Sequence, residues 1–337
     1  AHGRASRRGG SLSAVSRVLR MTVQSLVLGL GAWLVIGQQL TPGLMIAGAI
    51  LLGRALAPVD QLSGSWRQLV QAREDYRRLH GMLDRGPEDP KRMPLPAPTG
   101  ALSVEKLSVA APATRTPILT DISFAVEPGQ LVGVIGASAS GKTTLARAIL
   151  GIWPPLAGSV RLDGAKLQDW DRDSLGQHVG YMPQTVELFD GSVAENIARF
   201  GELDSDAVVA AARLAGVHDM ILRLPLGYDT AVGQGGSVLS AGQRQRVALA
   251  RAFYGAPKLV VLDEPNSNLD DSGEAALLAG LRELGRMGTT ALVVSHRKTI
   301  LAVVDKLVLL HQGRLVEAGP KEQVLDTLNR KISSLQA

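Results

Sequence analysis

The 337-residue chain has no cysteine. That excludes disulfide frameworks, zinc–thiolate sites and cysteine nucleophiles. Charge is scarce too, at 20% of residues against 45% hydrophobic. This excludes an intrinsically disordered chain, which is poor in apolar residues and rich in charge. No charged residue stands between Arg20 and Arg54. A basic excess is missing from the larger part of the chain. Residues 101–337 hold 23 Lys+Arg against 25 Asp+Glu, whereas residues 1–100 hold 13 against 6. A nucleic-acid reading wants a basic face on the folded domain, so no nucleic-acid partner is expected. The length allows about two domains. The first residue is Ala1, not Met, which is the mark expected of a fragment or a processed chain.

The charge-free stretch is longer than the ~20 residues that one membrane-spanning helix needs. It breaks at Gln38-Gln39-Leu40-Thr41-Pro42-Gly43, a turn or helix restart. Two spanning helices are expected, near 20–37 and 43–60, in contact with the lipid bilayer. Arginines flank both outer ends (Arg4, Arg7, Arg8, Arg17, Arg20; Arg54, Arg67, Arg73, Arg77, Arg78) and the connecting loop has none. The positive-inside rule puts both ends in the cytoplasm. A buried helical hairpin of a soluble domain is the alternative. Residues 54–85 look helical and amphipathic, with Leu62, Trp66, Leu69, Val70 and Tyr76 spaced near three and four. Residues 86–100 carry five prolines and read as a semi-extended linker. The expected organisation is therefore 1–85 partial transmembrane domain, 86–100 linker and 101–337 nucleotide-binding domain.

Beyond the linker, apolar strands alternate with helices. Leu131–Ile135 reads as a buried parallel strand. It runs into Gly136-Ala-Ser-Ala-Ser-Gly141-Lys142-Thr143-Thr144, the pattern G-x-x-x-x-G-K-[ST], with an apolar helical run at Leu145–Leu150 behind it. Its backbone N–H groups and the helix N-terminus suit a phosphate. Lys142 is expected on the β- and γ-phosphates of ATP and Thr143 on Mg²⁺. A second strand, Lys258–Leu262, ends in Asp263-Glu264, where α/β sheets bind ligands. Asp263 suits Mg²⁺, directly or through water, and Glu264 the attacking water. A third strand, Thr290–Val294, ends in Ser295-His296, and Gln184 follows Val179–Pro183. His296 is either structural or within reach of the γ-phosphate. Gln184 is either an ordinary loop residue or a ligand of Mg²⁺ or the lytic water. Leu239-Ser240-Ala241-Gly242-Gln243 precedes a helix that Ser240 is expected to cap. A second anion site at that helix N-terminus suggests a nucleotide shared across a two-fold dimer.

In this order these segments resemble the nucleotide-binding domain of an ABC transporter. Gly136–Thr144 resembles Walker A, Gln184 the Q-loop and Leu239–Gln243 the signature. Leu259–Glu264 resembles Walker B, Asn266–Asp270 the D-loop and His296 the H-loop. The resemblance implies an α/β P-loop NTPase fold, a RecA-like core plus a helical subdomain, preceded by an α-helical transmembrane hairpin. It implies that Gly136, Ser138, Ser140, Gly141, Lys142, Thr143 and Thr144 cradle ATP. Thr143, Gln184 and Asp263 would hold Mg²⁺, with Glu264, His296 and Gln184 catalytic. Ser240, Gly242 and Gln243 would meet the partner chain's ATP, and Asp270 would couple the two sites. Glu187–Phe189 would meet the cytoplasmic ends of the membrane helices. Gly180–Ile197 and Asp263–Asp270 are similar to the permease/ATPases of bacterial type I secretion, the kind exporting alkaline proteases and lipases. That implies a homodimer in the inner membrane with its nucleotide-binding domain in the cytoplasm. It also implies a periplasmic membrane-fusion adaptor, an outer-membrane channel and an unfolded secreted protein as substrate. Export of lipid, drug or peptide is one alternative, a nucleotide-gated switch without turnover another, and a soluble ABC protein acting on DNA or ribosomes a third. Three positions depart from the pattern: Ala111 where an aromatic commonly stacks on adenine, Ala241 for Gly in the signature, and Gln234 where exporters often carry Glu.

Overall fold

The computed structural model describes residues 2–83, 95–112, 114, 116–297 and 299–336. Most of the Pro-rich segment, residues 86–94, lies outside them, as do the side chains of Leu62, Trp66 and Arg67. The chain divides into two compact units, Ala1–Glu88 and Asp89–Ala337.

The first unit is a pair of helices, α1 (His2–Ile36) and α2 (Pro42–Leu83). The turn falls where polar residues interrupt the apolar run. Gln38 takes φ 58°, and Pro42 opens α2 at the position where its missing N–H costs nothing. The Thr41 carbonyl accepts from the N–H groups of Leu44 and Met45. The helices pack closely at Gly31, where an added Cβ would lie 2.6 Å from Met45 Cγ. The apolar side chains face outward nonetheless: Trp33, Ile36, Leu44, Ile46, Ile50 and Leu51 are all exposed, Ile36 to 82%. Among the described residues no helix is long and apolar enough to cross a membrane. The charge-free runs within the two helices are Met21–Ile36 and Pro42–Gly53, and each falls short of about 20 residues. Pro58 sits inside α2, which runs on through it. Leu69, Val70 and Tyr76, expected on an apolar stripe, are exposed.

The second unit begins with β1 (Leu102–Ala110) and β2 (Pro117–Val126). Next come β3 (Leu131–Gly136), α3 (Lys142–Ile149), β4 (Ala157–Leu162), β5 (Ala165–Lys166), α4 (Arg172–His178) and β6 (Val179–Met182). Four helices follow, α5 (Val193–Ile197), α6 (Ser205–Leu214), α7 (His218–Leu222) and α8 (Ala241–Phe253). The chain closes with β7 (Leu259–Asp263), α9 (Asp271–Arg286), β8 (Thr290–Val294), β9 (Lys306–His311), β10 (Arg314–Pro320) and α10 (Lys321–Gln336).

One sheet is antiparallel, in the order β2-β1-β4-β5. The other has the order β10-β9-β3-β8-β7-β6 and is parallel except for β10 at its edge. Every residue of β7 and β8 is buried. Their side chains divide by alternation. Val260, Leu262, Ala291 and Val293 pack with α8, α9 and the helices after β6, while Leu259, Val261, Leu292 and Val294 pack with α3, β1 and β2. A parallel sheet covered on both faces requires such continuous apolar runs. Because β3, β6, β7 and β8 run parallel, their C-terminal ends share one edge, and there the P-loop, Gln184, Asp263-Glu264 and His296 emerge. Strand β8 separates β3 from β7 in the sheet. The strand expected at Lys258–Leu262 runs one residue later. The helix expected from Leu145 starts at Lys142, since the P-loop closes directly into its first turn.

Candidate active site

The loop between β3 and α3 is built for close backbone approach. A Cβ on Gly136 would lie 2.3 Å from the Leu310 carbonyl, and one on Gly141, at φ 98°, would lie 2.5 Å from Leu119 Cδ2. Only glycine lets the loop curl this tightly against β9 and β2. Lys142 Nζ donates to the carbonyls of Gly136 and Ala137, 2.9 Å each, so its ammonium lies over the loop. Ser138 is exposed, Thr143 is half-buried and Thr144 is buried. Ser140 is buried and its hydroxyl oxygen has no hydrogen-bond partner.

Asp263 ends β7 at 1% exposure, and neither carboxylate oxygen makes a hydrogen bond of normal geometry. A buried carboxylate without a partner is costly. Burial pushes its pKa above the usual carboxylate range. The Thr143 hydroxyl pulls it back, Glu264 pushes it further up, and Arg147 and Lys142 pull it down. The same causes show that Thr143, Lys142 and Asp263 are neighbours. A hydroxyl and one buried carboxylate beside a phosphate cradle form an oxygen donor set that suits Mg²⁺, which takes one or two carboxylates and completes its shell with phosphate and water.

Glu264 follows in a left-handed conformation, φ 51°, fixed by its N–H donating to the Val294 carbonyl at 2.9 Å. A non-glycine residue in that region carries strain that the surroundings must hold. Its carboxylate meets two residues from the loops that follow other strands. Gln184 Nε2 donates to Oε2 at 3.3 Å, and His296 Nδ1 stands 3.5 Å from Oε1. The three residues proposed as catalytic from three separate segments thus meet at one carboxylate.

The signature segment lies beside this group. Ser240 caps α8 with a reciprocal box. Its hydroxyl accepts from Gln243 N–H at 3.2 Å, and Gln243 Oε1 accepts from Ser240 N–H at 2.8 Å. The cap expected from the sequence is therefore present, and it engages the Gln243 side chain. Ser240 and Ala241 are exposed. Gly242 packs on segment 264–270, where an added Cβ would meet the Asn268 carbonyl at 3.0 Å. Asp270 caps α9, accepting from Gly273 N–H at 2.9 Å, and pairs with Arg246 of α8. Its carboxyl is held below the usual range, first by the Gly273 N–H.

Gln245 has no role in the sequence reading. It is 2% exposed in α8. Its amide donates to the Pro265 carbonyl at 2.5 Å, to the Glu264 carbonyl at 3.4 Å and to Ser267 Oγ at 3.3 Å, and accepts from Asn268 N–H at 3.1 Å. The helix that begins at the signature is thereby bolted to the backbone of Glu264. Buried Asn266, the first residue of the D-loop resemblance, bonds Ser295 and Glu274. Glu187, Phe189 and Phe200 line an open groove of about 450 Å³, with Phe189 exposed and edge-on to Phe200 at 5.8 Å. Ala111 follows β1 half-buried, and Gln234 lies exposed in a turn before the signature.

Residues 119–267 match the family model of the ABC transporter. The type I secretion system ATP-binding protein PrsD of Rhizobium meliloti (strain 1021) is 55% identical over 323 residues, 96% of this chain and 56% of the relative. The cyclolysin secretion/processing ATP-binding protein CyaB of Bordetella pertussis is 35% identical, over 92% of this chain and 44% of the relative. The leukotoxin translocation ATP-binding protein LktB of Mannheimia haemolytica is 32% identical, over 95% and 45%. Among solved structures, a bacterial Atm1-family ABC exporter with ATP bound superposes with a TM-score of 0.70 at 30% identity, covering 99% of this chain and 59% of that one. The chain spans about half the length of the curated relatives it matches. Residues 119–267 thus match an ABC transporter domain, and over nearly all of its length the chain is similar to secretion ATP-binding proteins, among them one of a type I secretion system.

Proposed function

We propose that this chain is the ATP-hydrolysing part of an exporter of the type I protein secretion kind. The observation that carries the reading is the meeting of Gln184, Glu264 and His296 beside a buried, unpartnered Asp263 and a P-loop. ATP is the substrate. The P-loop N–H groups and Lys142 hold its phosphates. Thr143 and Asp263 would hold Mg²⁺, with Gln184 at its edge. Mg²⁺, held there, would supply positive charge to offset the charge developing on the phosphate oxygens. Glu264 accepts a proton from water as the water oxygen bonds to the γ-phosphorus and the bond to the β–γ bridging oxygen breaks, leaving ADP and phosphate. His296 steadies the γ-phosphate and the Glu264 carboxylate, while Gln184 orients the water. Ser240 and Gly242, at an outward-facing helix N-terminus, serve the ATP of a second copy in a homodimer, and Asp270 joins the two sites.

The same reading assigns helices α1 and α2 to the bacterial inner membrane as part of a multi-pass domain, with the nucleotide-binding domain in the cytoplasm. Its support is the run without charge from Arg20 to Arg54 and the outward-facing apolar side chains. Arg54 would snorkel to the interface. The similarity to PrsD, CyaB and LktB supports an unfolded secreted protein as cargo, with a periplasmic adaptor and an outer-membrane channel as partners. The groove at Glu187–Phe189 would receive the cytoplasmic ends of membrane helices.

The test is Mg-ATP hydrolysis by the full chain over a concentration series, with Glu264→Gln alongside. A rate rising more steeply than linearly, and a variant that binds ATP but turns over about 10²–10⁴-fold more slowly, are expected. ATP binding without turnover by the unaltered chain would replace the enzyme with a nucleotide-gated switch.

A further inference from the structure

A second polar cluster lies behind His296 and takes no part in the chemistry above. Glu274, in the first turn of α9, is largely buried and collects three donors. Thr299 Oγ1 and Asn266 Nδ2, the latter at 3.3 Å, reach Oε1, and Arg297 Nη1 reaches Oε2 at 3.1 Å. Asn266, 1% exposed, accepts in turn from Ser295 Oγ at 3.3 Å. Ser295 Oγ then accepts from the Arg297 N–H at 3.1 Å. The Thr299 hydroxyl, ahead of the opposing effect of burial, holds the Glu274 carboxyl below its usual range, so it is ionised at neutral pH.

The arrangement has a direction. Ser295, Arg297 and Thr299 bracket His296, and all three are tied to Glu274, directly or through Asn266. His296 itself is exposed and reaches Glu264 at 3.5 Å. Its ring position is therefore set by the backbone on either side of it, and that backbone is pinned to α9. Asn266 stands two residues after Glu264, and Asp270, the cap of α9, stands four residues before Glu274. The cluster spans the segment from Glu264 to α9 and fastens it to the loop that carries His296.

We propose that Glu274 is a positioning residue. Through Asn266, Arg297 and Thr299 it holds His296 against Glu264 and transmits displacements of segment 266–274 to that histidine. This rests on the hydrolytic reading above. A catalytic group displaced by about 1 Å costs up to about 10²-fold in rate, while the P-loop contacts that bind nucleotide are left alone. The two effects therefore separate in kinetics.

The experiment measures Mg-ATP hydrolysis and nucleotide affinity of the full chain with Glu274→Ala, Glu274→Gln and Arg297→Gln. Glu274→Ala is expected to lower kcat about tenfold with KM and nucleotide Kd within about twofold of the unaltered chain. Glu274→Gln keeps an oxygen for Thr299 and Asn266 and is expected to recover part of that loss. Arg297→Gln, on a half-exposed residue, is expected to lower kcat about threefold. Adding His296→Ala to Glu274→Ala is expected to give the rate of His296→Ala alone, because the two act as one unit. Values of kcat within twofold of the unaltered chain in both Glu274→Ala and Arg297→Gln overturn the proposal, as does a KM or Kd that rises in step with the loss of kcat. If Glu274→Ala does not fold, Arg297→Gln decides, and an unchanged kcat there overturns the proposal. If the unaltered chain hydrolyses no ATP, the hydrolytic reading fails and this proposal falls with it. Hydrolysis by the unaltered chain with indifferent variants removes this proposal alone.

Discussion

Replacing Gln245 by Leu tests the bolt between α8 and the turn at Glu264. The side chain keeps its volume and loses its amide. The Pro265 carbonyl, which accepts from that amide in the protein interior, is then left without a donor, at about 1–3 kcal/mol. The bond from Asn268 N–H is lost as well. Asn268 is exposed and its N–H finds water, so only the net worth of that bond, about 1 kcal/mol, is added. The total is about 2–4 kcal/mol. At about 2–4 °C per kcal/mol for a unit of this size, the melting temperature should fall by about 4–16 °C. The Glu264 carbonyl loses a contact at the same time, so its left-handed backbone is less firmly held and kcat should fall about tenfold or more. Differential scanning calorimetry and a steady-state ATPase assay on the full chain read both quantities. A melting temperature within about 2 °C of the unaltered chain, together with an unchanged kcat, would refute the reasoning.

Gly136→Ala should lower nucleotide affinity at least about tenfold, because the new methyl meets a backbone carbonyl of β9 that cannot move without opening the sheet; titration with a fluorescent ATP analogue measures it. Asp263→Asn separates stability from function. The folded-state pKa of Asp263 is raised above its unfolded value of 3.8, so its ionised form opposes folding, and stability present at low pH is lost as pH rises through the raised value. The nucleotide-free Asp263→Asn variant should therefore melt above the unaltered chain at neutral pH. The gap should close as pH falls toward about 4, and Mg²⁺-dependent hydrolysis should be lost. Thermal melts over a pH series together with the ATPase assay check all three.

Much of the candidate site was legible because its motifs are local. A P-loop is one strand end, one glycine-lined turn and one helix start, and a pattern of eight consecutive positions specifies it. Asp263-Glu264 and His296 each follow a short apolar run, so their place at a strand end followed from the pattern. The cap at Ser240 was readable for the same reason, since donor and acceptor stand three residues apart. The buried contacts of Gln245, Asn266 and Glu274 were not legible. In sequence the three are ordinary polar residues within or beside helices, indistinguishable from a solvated face. Their partners stand from 8 to 29 positions away and on other elements. The apolar helices divide the same way. The sequence showed a charge-free stretch with a break at Gln38–Gly43, and the helices do turn there. Within the helices, however, the described apolar runs are each shorter than a span.

The amino-acid sequence by itself determined the alternation of strands and helices, the phosphate loop, the acidic strand end and the cap at Ser240. Each depends on residues within one turn or one strand, where backbone conformation and side-chain type act at short range. Only the tertiary structure decided that β8 stands between β3 and β7, that Glu264 meets Gln184 and His296, and that α8 and α9 are fastened to the segment after Glu264. Those outcomes depend on strand order and on buried hydrogen bonds across long sequence separations, and such groups find their partners only when the sheet is assembled and water has been excluded.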